Sequence, residues 1–298
     1  MKYKTVAVVM GGRSNEREVS LRSGAAIATA LRAAGHEVRE VIMDDPRALR
    51  LAPEVSAAFL ALHGGDGENG GVQALLDTMK MPYTGSGAKA SRLAMDKIAS
   101  KKMFDANHIP TAAWEVCGKA SHLPRLSFPL VAKPPREGSS VGVARVNNAA
   151  GLPEAIRAAQ RFDAAGEVLL ETFIPGREWA VGVLGNRVLP PIEIKAPDGW
   201  YDYTAKYNTE RGTRYIFPED AALIQRCQHI ARAVFDTLGC RGLGRVDFRI
   251  TDAGDPFVLE MNTLPGFTAT SLFPKAAAHA GIPFDTLCAA VMELAAHD

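Results

Sequence analysis

The sequence predicts an α/β domain built on a parallel sheet, followed by two α+β lobes. Three observations carry that prediction. Residues 5–10 (TVAVVM) are a continuous apolar run of strand length, and a helical pattern over 16–34 separates them from strand-like runs at 36–42 and 57–62. Strand, helix, strand in that order implies parallel pairing through a crossover helix. From residue 128 onward the strands are short, with helical patterns at 149–164 and 221–238 between them, which suits antiparallel α+β layers. Finally, 244–250 and 256–262 alternate polar and apolar residues on either side of the turn-rich TDAGD of 251–255, a β-hairpin.

Composition excludes several function classes. At 298 residues, 47% hydrophobic and 22% charged, the chain can bury a large core and divide into two or three domains. A net charge of +1 gives no long-range attraction to nucleic acid or to an anionic membrane. Cys117, Cys227, Cys240 and Cys288 are scattered without a CxxC pair and read as buried free thiols. The apolar run near the N-terminus is too short for a signal peptide, and no stretch approaches the roughly 20 residues that span a bilayer. A cytoplasmic protein is expected.

In chain order, the turn Gly11-Gly12-Arg13-Ser14 fits neither a dinucleotide fingerprint nor a P-loop. It puts Glu16 at a helix start beyond the carboxyl end of a strand, where a carboxylate either complements the helix dipole or receives a substrate ammonium. After the strand at 57–62, the loop from His63 to Gly71 is so rich in glycine that close backbone approach is implied, with His63 the one titratable ring in it. A helix at 72–79 and a glycine-rich step at 84–87 precede a long helical pattern over 88–107, basic around Lys97, Lys101 and Lys102. A first domain is therefore expected over 1–95.

The middle domain is expected over 96–182. Its strands at 128–133 and 141–146 flank Pro134-Pro-Arg-Glu-Gly-Ser-Ser140. The backbone donors and hydroxyls of that loop suit a phosphate, with Lys133 as a point charge beside it, or equally an ordinary hairpin tip. Strands at 167–171, 179–184 and 188–194 follow. The aromatic, aperiodic run 197–213 reads as a lid in which Lys206 and Tyr207 close over reactants, a plain linker being the alternative. In the last domain, 183–298, a helix at 221–238 leads into the hairpin, the loop 262–272 offers N–H groups to an oxyanion or carboxylate, and a helix over 284–296 closes the chain.

The hairpin holds the main puzzle. Closed symmetrically about Ala253-Gly254, it sets Asp247 opposite Glu260 and Arg245 opposite Asn262, all four side chains on one face. Directly opposed carboxylates repel. Either a cation such as Mg²⁺ sits between these hard oxygens, holding nucleotide phosphates, or Arg245 neutralises Asp247 on a solvated face.

Taken together, GG…EREVS (11–20), ALHG (61–64), YTGSG (83–87), MDK (95–97), KP…REGSSVG (133–142), YDYTAKY (201–207), GRVD (244–247) and EMNTLPG (260–266) resemble the D-alanine–D-alanine ligases of the ATP-grasp superfamily, nearly end to end and in the same order. The resemblance implies two α+β lobes sandwiching ATP. It implies that Lys97 and Lys133 contact the phosphates under the Gly138-Ser139-Ser140 loop, and that Glu171, Phe173, Ile174 and Glu178 hold adenine and ribose. Asp247, Glu260 and Asn262 carry two Mg²⁺ ions, with Mn²⁺ able to substitute. Glu16, linked to Ser139 and Tyr207, receives the ammonium of the first D-alanine near His63; its carboxylate attacks the γ-phosphate, and the second D-alanine amine attacks the resulting acyl phosphate. Arg245 and the Gly266 N–H stabilise the oxyanion, and Ser271 and Leu272 hold the second carboxylate, with Lys206 in the lid. A homodimer acting on D-alanine and ATP in the cytoplasm, for peptidoglycan precursor synthesis, is the corresponding expectation.

Pro135, Leu264 and Phe267 depart from the family pattern, and none carries an assigned role. Another ATP-grasp ligase, such as one joining D-alanine to D-lactate, is the alternative; the Lys206-Tyr207 lid and Glu16-Arg17-Glu18 turn argue against it. A two-lobed amino-acid-binding protein without chemistry would not need Asp247, Glu260 and Asn262 together.

Overall fold

A computed structural model describes residues 2–196, 212–268 and 270–298. The opening is parallel as expected. Strand β1 (Thr5–Gly11) is buried along its length between β2 (Glu37–Met43) and β3 (Ala57–Leu60), both parallel to it, and α1 (Arg17–Ala33) is the crossover. Two side-chain bonds lock α1 to this sheet: Gly11 N–H donates to Ser20 Oγ (2.9 Å), and Ser20 Oγ donates to the Ala61 carbonyl (2.7 Å). Short helices α2 (Gly65–Glu68) and α3 (Gly71–Thr78) follow β3.

The helix expected over 88–107 is two helices, α4 (Ala88–Met95) and α5 (Lys97–Ala106). Asp96 breaks it: its backbone is extended (ψ 100°) and its carboxylate accepts the Ala99 N–H, a helix N-cap that satisfies one of the orphan donors of α5. The break puts Lys97 in the first turn of α5 with Lys101 on the same face one turn later.

The second sheet has the order β4 (Trp114–Cys117), β7 (Val168–Thr172), β5 (Leu130–Lys133), β6 (Ala144–Val146), antiparallel throughout. It is covered by α6 (Leu152–Gln160), whose Leu152, Ala155, Ile156 and Ala159 fall at helical spacing and are buried. β6 starts later than the expected 141, because Gly142 takes a left-handed φ of 69° and the loop before it is correspondingly longer.

The third sheet runs β11 (Arg214–Ile216), β10 (Ile192–Lys195), β8 (Arg177–Leu184), β12 (Leu243–Ile250), β13 (Pro256–Asn262), with the short β9 (Arg187–Val188) beside β8. Helix α7 (Ala221–Thr237) buries Leu223, Cys227, Ile230 and Val234 against β8 and β12. Helices α8 (Leu272–His279) and α9 (Phe284–Glu293) complete the chain.

Two features bear on the expected domain division. The boundary at 182/183 falls inside β8, a central strand of the third sheet, so the sheets themselves divide before Arg177. Helix α9 lies against α1 in the first core, and the chain end joins the first sheet: Tyr3 OH donates to the Ala295 carbonyl (2.8 Å), and Tyr83 and Ala296 exchange backbone bonds. Residues 284–296 therefore pack with the first region, although sequence places them in the last.

In the hairpin, Asp247 stands opposite Glu260 and Arg245 opposite Asn262, the predicted pairs. The route to that register differs. Phe248, Arg249 and Ile250 pair one residue out of step, with Val258, Phe257 and Pro256, and a bulge next to Asp247 restores the expected pairing at the far end.

Candidate active site

The cleft between the second and third sheets gathers Lys97, Lys133, Glu171, Phe173, Ile174 and Glu178 with Asp247 and Glu260. Six elements and the loop after β7 supply them because the chain crosses the cleft repeatedly: β5 and β7 from one wall, β8, β12 and β13 from the other, α5 at the end. Lys97 Nζ donates to the Glu137 carbonyl (2.7 Å) and pairs with Glu260 (3.1 Å), tying the loop after β5 to β13. Ser139 and Ser140 both have left-handed φ, 52° and 59°, conformations that non-glycine residues adopt at a cost of order 1 kcal/mol each. Gly138 and Ser139 border this cleft and also the cavity behind it, so the loop stands between the two.

The opposed carboxylates are neutralised. Arg245 forks both oxygens of Asp247 (2.7 and 2.8 Å), and Asn262 Nδ2 donates to Asp247 Oδ2 (2.9 Å). Among the described residues no group of three His, Cys, Asp or Glu is arranged for a metal. The donor set is instead two carboxylates and one amide on one sheet face, the hard-oxygen chemistry that suits Mg²⁺.

Glu16, His63, Arg245, Asn262, Gly266, Ser271 and Leu272 converge on the second cavity. Glu16 sits at the N-terminus of α1, held by a bond from its N–H to Ser14 Oγ (3.2 Å), while Ser14 Oγ donates to the His63 carbonyl (2.6 Å). Gly64 is required there twice: its φ is +64°, and a Cβ would lie 2.9 Å from Glu16 Oε2. Burial pushes the His63 imidazolium pKa down, and the nearby Glu16 only partly opposes it. The neutral ring fits its partners, Ser23 Oγ at Nε2 (3.1 Å) and the Leu264 carbonyl at Nδ1 (3.3 Å). Ser271 precedes α8 and ties the loop before it, bonding the Thr268 N–H and hydroxyl (3.0 and 2.8 Å). A Cβ on Gly266 would meet Ser271 Oγ at 3.0 Å, so glycine keeps that backbone close to α8. Lys206 and Tyr207, expected in the lid, lie outside the described residues.

Sequence reasoning missed four residues at this site. Glu68 lies in the cavity wall and accepts the Gly64 N–H (3.0 Å); burial, then Glu16, push its carboxyl up to about 8. Arg249 clasps the segment between β7 and β8, donating to the carbonyls of Ile174 (3.1 Å) and Gly176 (2.8 Å) and reaching Glu178 (3.5 Å). It shares a face with Arg245 and Asp247 by simple alternation, which was the available signal. Arg136 joins Asp96, Asp163 and Glu167, fastening the serine-containing loop to α5 and β7. Lys101 is wholly buried against Glu171, at helical spacing from Lys97.

Known proteins resemble this chain along its length. The family described as D-ala D-ala ligase N-terminus matches residues 42–86, and that described as D-ala D-ala ligase C-terminus matches 100–293. A D-alanine–D-alanine ligase of Anaeromyxobacter dehalogenans is 46% identical over 303 residues, covering 98% of this chain and 97% of the relative. One from Bordetella avium is 43% identical, covering 98% and 94%. A crystal structure of the Bacillus anthracis ligase superposes with a TM-score of 0.88 at 35% identity, covering 98% and 97%. The same enzyme complexed with ATP superposes with a TM-score of 0.86.

Proposed function

The chain belongs to the D-alanine–D-alanine ligase family, and from that premise we propose how its own residues carry the reaction. The protein is an ATP-dependent ligase of ATP-grasp fold that joins two D-alanine molecules through an acyl phosphate, for peptidoglycan precursor synthesis. The observation that carries the residue roles is the loop at Gly138-Ser139, which borders both the cleft with Lys97 and Lys133 and the cavity with Glu16 and Gly266. A γ-phosphate under that loop meets a carboxylate arriving from the cavity.

In this reading Lys97 and Lys133 neutralise phosphate charge, and Glu171, Phe173, Ile174 and Glu178 seat the nucleoside. Glu16 receives the first ammonium beside His63, with Ser139 and Tyr207 linked to it; Lys206 closes from the lid. Phosphoryl transfer asks for alignment and charge neutralisation more than for a protein nucleophile, and no such nucleophile is needed here. The second D-alanine is held by its carboxylate at Ser271 and Leu272, so that its amine faces the acyl phosphate. Arg245 and the Gly266 N–H stabilise the oxyanion that forms, with Arg245 exchanging its hold on Asp247 for the developing charge. Asp247, Glu260 and Asn262 fit Mg²⁺, which when bound screens the phosphate charges and orients them. A cytoplasmic homodimer of three-part chains, with the second boundary moved from 182/183 to before Arg177, belongs to the same proposal.

Phosphate release from Mg-ATP with D-alanine, L-alanine, or D-alanine plus D-lactate, with products identified by mass, tests the substrate. D-Alanyl-D-alanine from D-alanine alone is expected; turnover only with a hydroxy acid would overturn it. Glu260→Ala should lose turnover by about a hundred- to a thousandfold, the scale of removing a main transition-state charge stabiliser, and stay folded because Lys97 keeps its bond to the Glu137 carbonyl. Near-normal activity in that variant would remove Glu260 from the metal set.

A further inference from the structure

Lys101 has no place in the reaction as described, yet it is among the most buried side chains of the molecule, 1% exposed. Its ammonium meets three oxygens: Glu171 Oε1 (2.6 Å), Thr111 Oγ1 (2.6 Å) and the Ala112 carbonyl (3.1 Å). An ammonium has three N–H donors and a neutral amine two, so this geometry accommodates the charged form. Burial pulls the Lys101 pKa down, and the adjacent Glu171 carboxylate opposes that.

On the other side of Glu171 stands Lys133, in contact with the second carboxylate oxygen. Val131 pairs with Glu171 across β5 and β7, so Lys133 and Glu171 are diagonal neighbours on one sheet face. One carboxylate thus lies between two ammonium groups. If Glu171 had Lys133 as its single partner, the pair would be neutral, and the lysine that faces the nucleotide would present a cancelled charge. With Lys101 behind it, the buried group keeps one surplus positive charge at the cleft.

We infer that Lys101 is a positioning residue that satisfies Glu171 from behind and so leaves the Lys133 charge available to the ATP phosphates. The inference rests on Lys133 facing those phosphates. Lys101 touches neither nucleotide nor reacting atoms in this scheme. The Lys97–Lys101 spacing follows from the helix: α5 sends one ammonium to the loop and Glu260, and the next, a turn later, to Glu171, Thr111 and Ala112.

The experiment is direct binding of Mg-ATP and of adenosine to full-length enzyme, with KM for ATP and kcat measured alongside. Lys101→Met keeps the side-chain volume and should weaken ATP about tenfold, the scale of one charge acting over several ångströms in a partly screened site, while adenosine binding holds. The loss should fall on KM for ATP more than on kcat, and Lys101→Arg should restore most of it. The double variant Lys101→Met/Glu171→Gln removes one charge of each sign, restores the surplus, and should bind ATP better than Lys101→Met alone. This second variant also serves if the single one does not fold. Normal ATP affinity in Lys101→Met, equal losses for ATP and adenosine, or a folded double variant weaker than the single would each overturn the inference. Lys133→Met separates the two levels: unchanged ATP affinity there would defeat the assignment of Lys133 itself.

Discussion

Glu171 and Glu68 are the same residue type, the first buried and the second half-buried at the edge of a cavity, and their carboxyls move in opposite directions. Burial would raise Glu171, but Lys101 and Lys133 bring it down to about 2. Burial does raise Glu68, Glu16 adds to the effect, and the Gly64 N–H does not offset them, leaving it at about 8. The difference lies in the partners. The cleft proposed for ATP is lined with paired cations: Lys97 with Glu260, Arg245 with Asp247, Arg249 with Glu178. The cavity proposed for D-alanine holds Glu16 and Glu68 close together, an arrangement that an ammonium there would relieve. Among the described residues, the acid of the cleft is met by two ammonium groups, whereas the acid of the cavity has a second acid as its neighbour.

The sharpest way to break this contrast is to remove the paired acid. Glu171→Ala leaves two buried ammonium groups facing each other, and loss of one partner from a buried ion pair costs about 3–5 kcal/mol. Urea unfolding at neutral pH should show a fall of that size; a loss below about 1 kcal/mol would mean that the lysines find other compensation.

Acidity should act on the two acids with opposite sign. Glu171 has a folded pKa below its ordinary 4.5, so its contribution is present above pH 4.5 and lost as pH falls toward 2. Glu68 has a folded pKa above 4.5, so the folded state holds its proton longer than the unfolded state, and stability declines as pH rises from about 4.5 to 8. Glu68→Gln should remove that decline. Discounted for the water that the cavity admits, the variant should gain about 2 kcal/mol over the parent at pH 8.5 and little at pH 4. Unfolding midpoints at the two pH values check the sign, and a gain that is equal at both would mean that Glu68 does not titrate in this range.

What the sequence made legible follows range of interaction. The parallel opening, the hairpin and the Asp247–Glu260 pairing rest on alternation and turn residues within a few positions, and all are present in the structure. Even there the bulge beside Asp247 was invisible; the register came out right because the turn is offset by one residue and the bulge corrects it. The break at Asp96 was legible in principle, as an N-cap residue inside a long helical pattern, but Lys97 and its neighbours continue the periodicity and hide it. Helix α8 was missed because Pro274 suggests a loop, although proline is tolerated in the first helical turn. Strand β4 is four residues long, too short for a pattern. Lys101 and Glu171 are far apart in the chain, and nothing local in either links them; only the docking of α5 beside the cleft does.

The smallest effect bears on Glu68 and the cavity it lines. At pH 7 a Glu68 carboxyl with a pKa of about 8 is mostly protonated. A D-alanine ammonium entering beside Glu16 and Glu68 favours the ionised form, so binding of the first D-alanine should expel a substantial fraction of a proton from the enzyme. Calorimetric titration in buffers of different ionisation enthalpy measures that fraction. Glu68→Gln should bring it near zero, whereas titration with ATP in the cleft, where the charges are already paired, should release little. Proton release that is unchanged by Glu68→Gln would place the titrating group elsewhere and dissolve the contrast between the two acids.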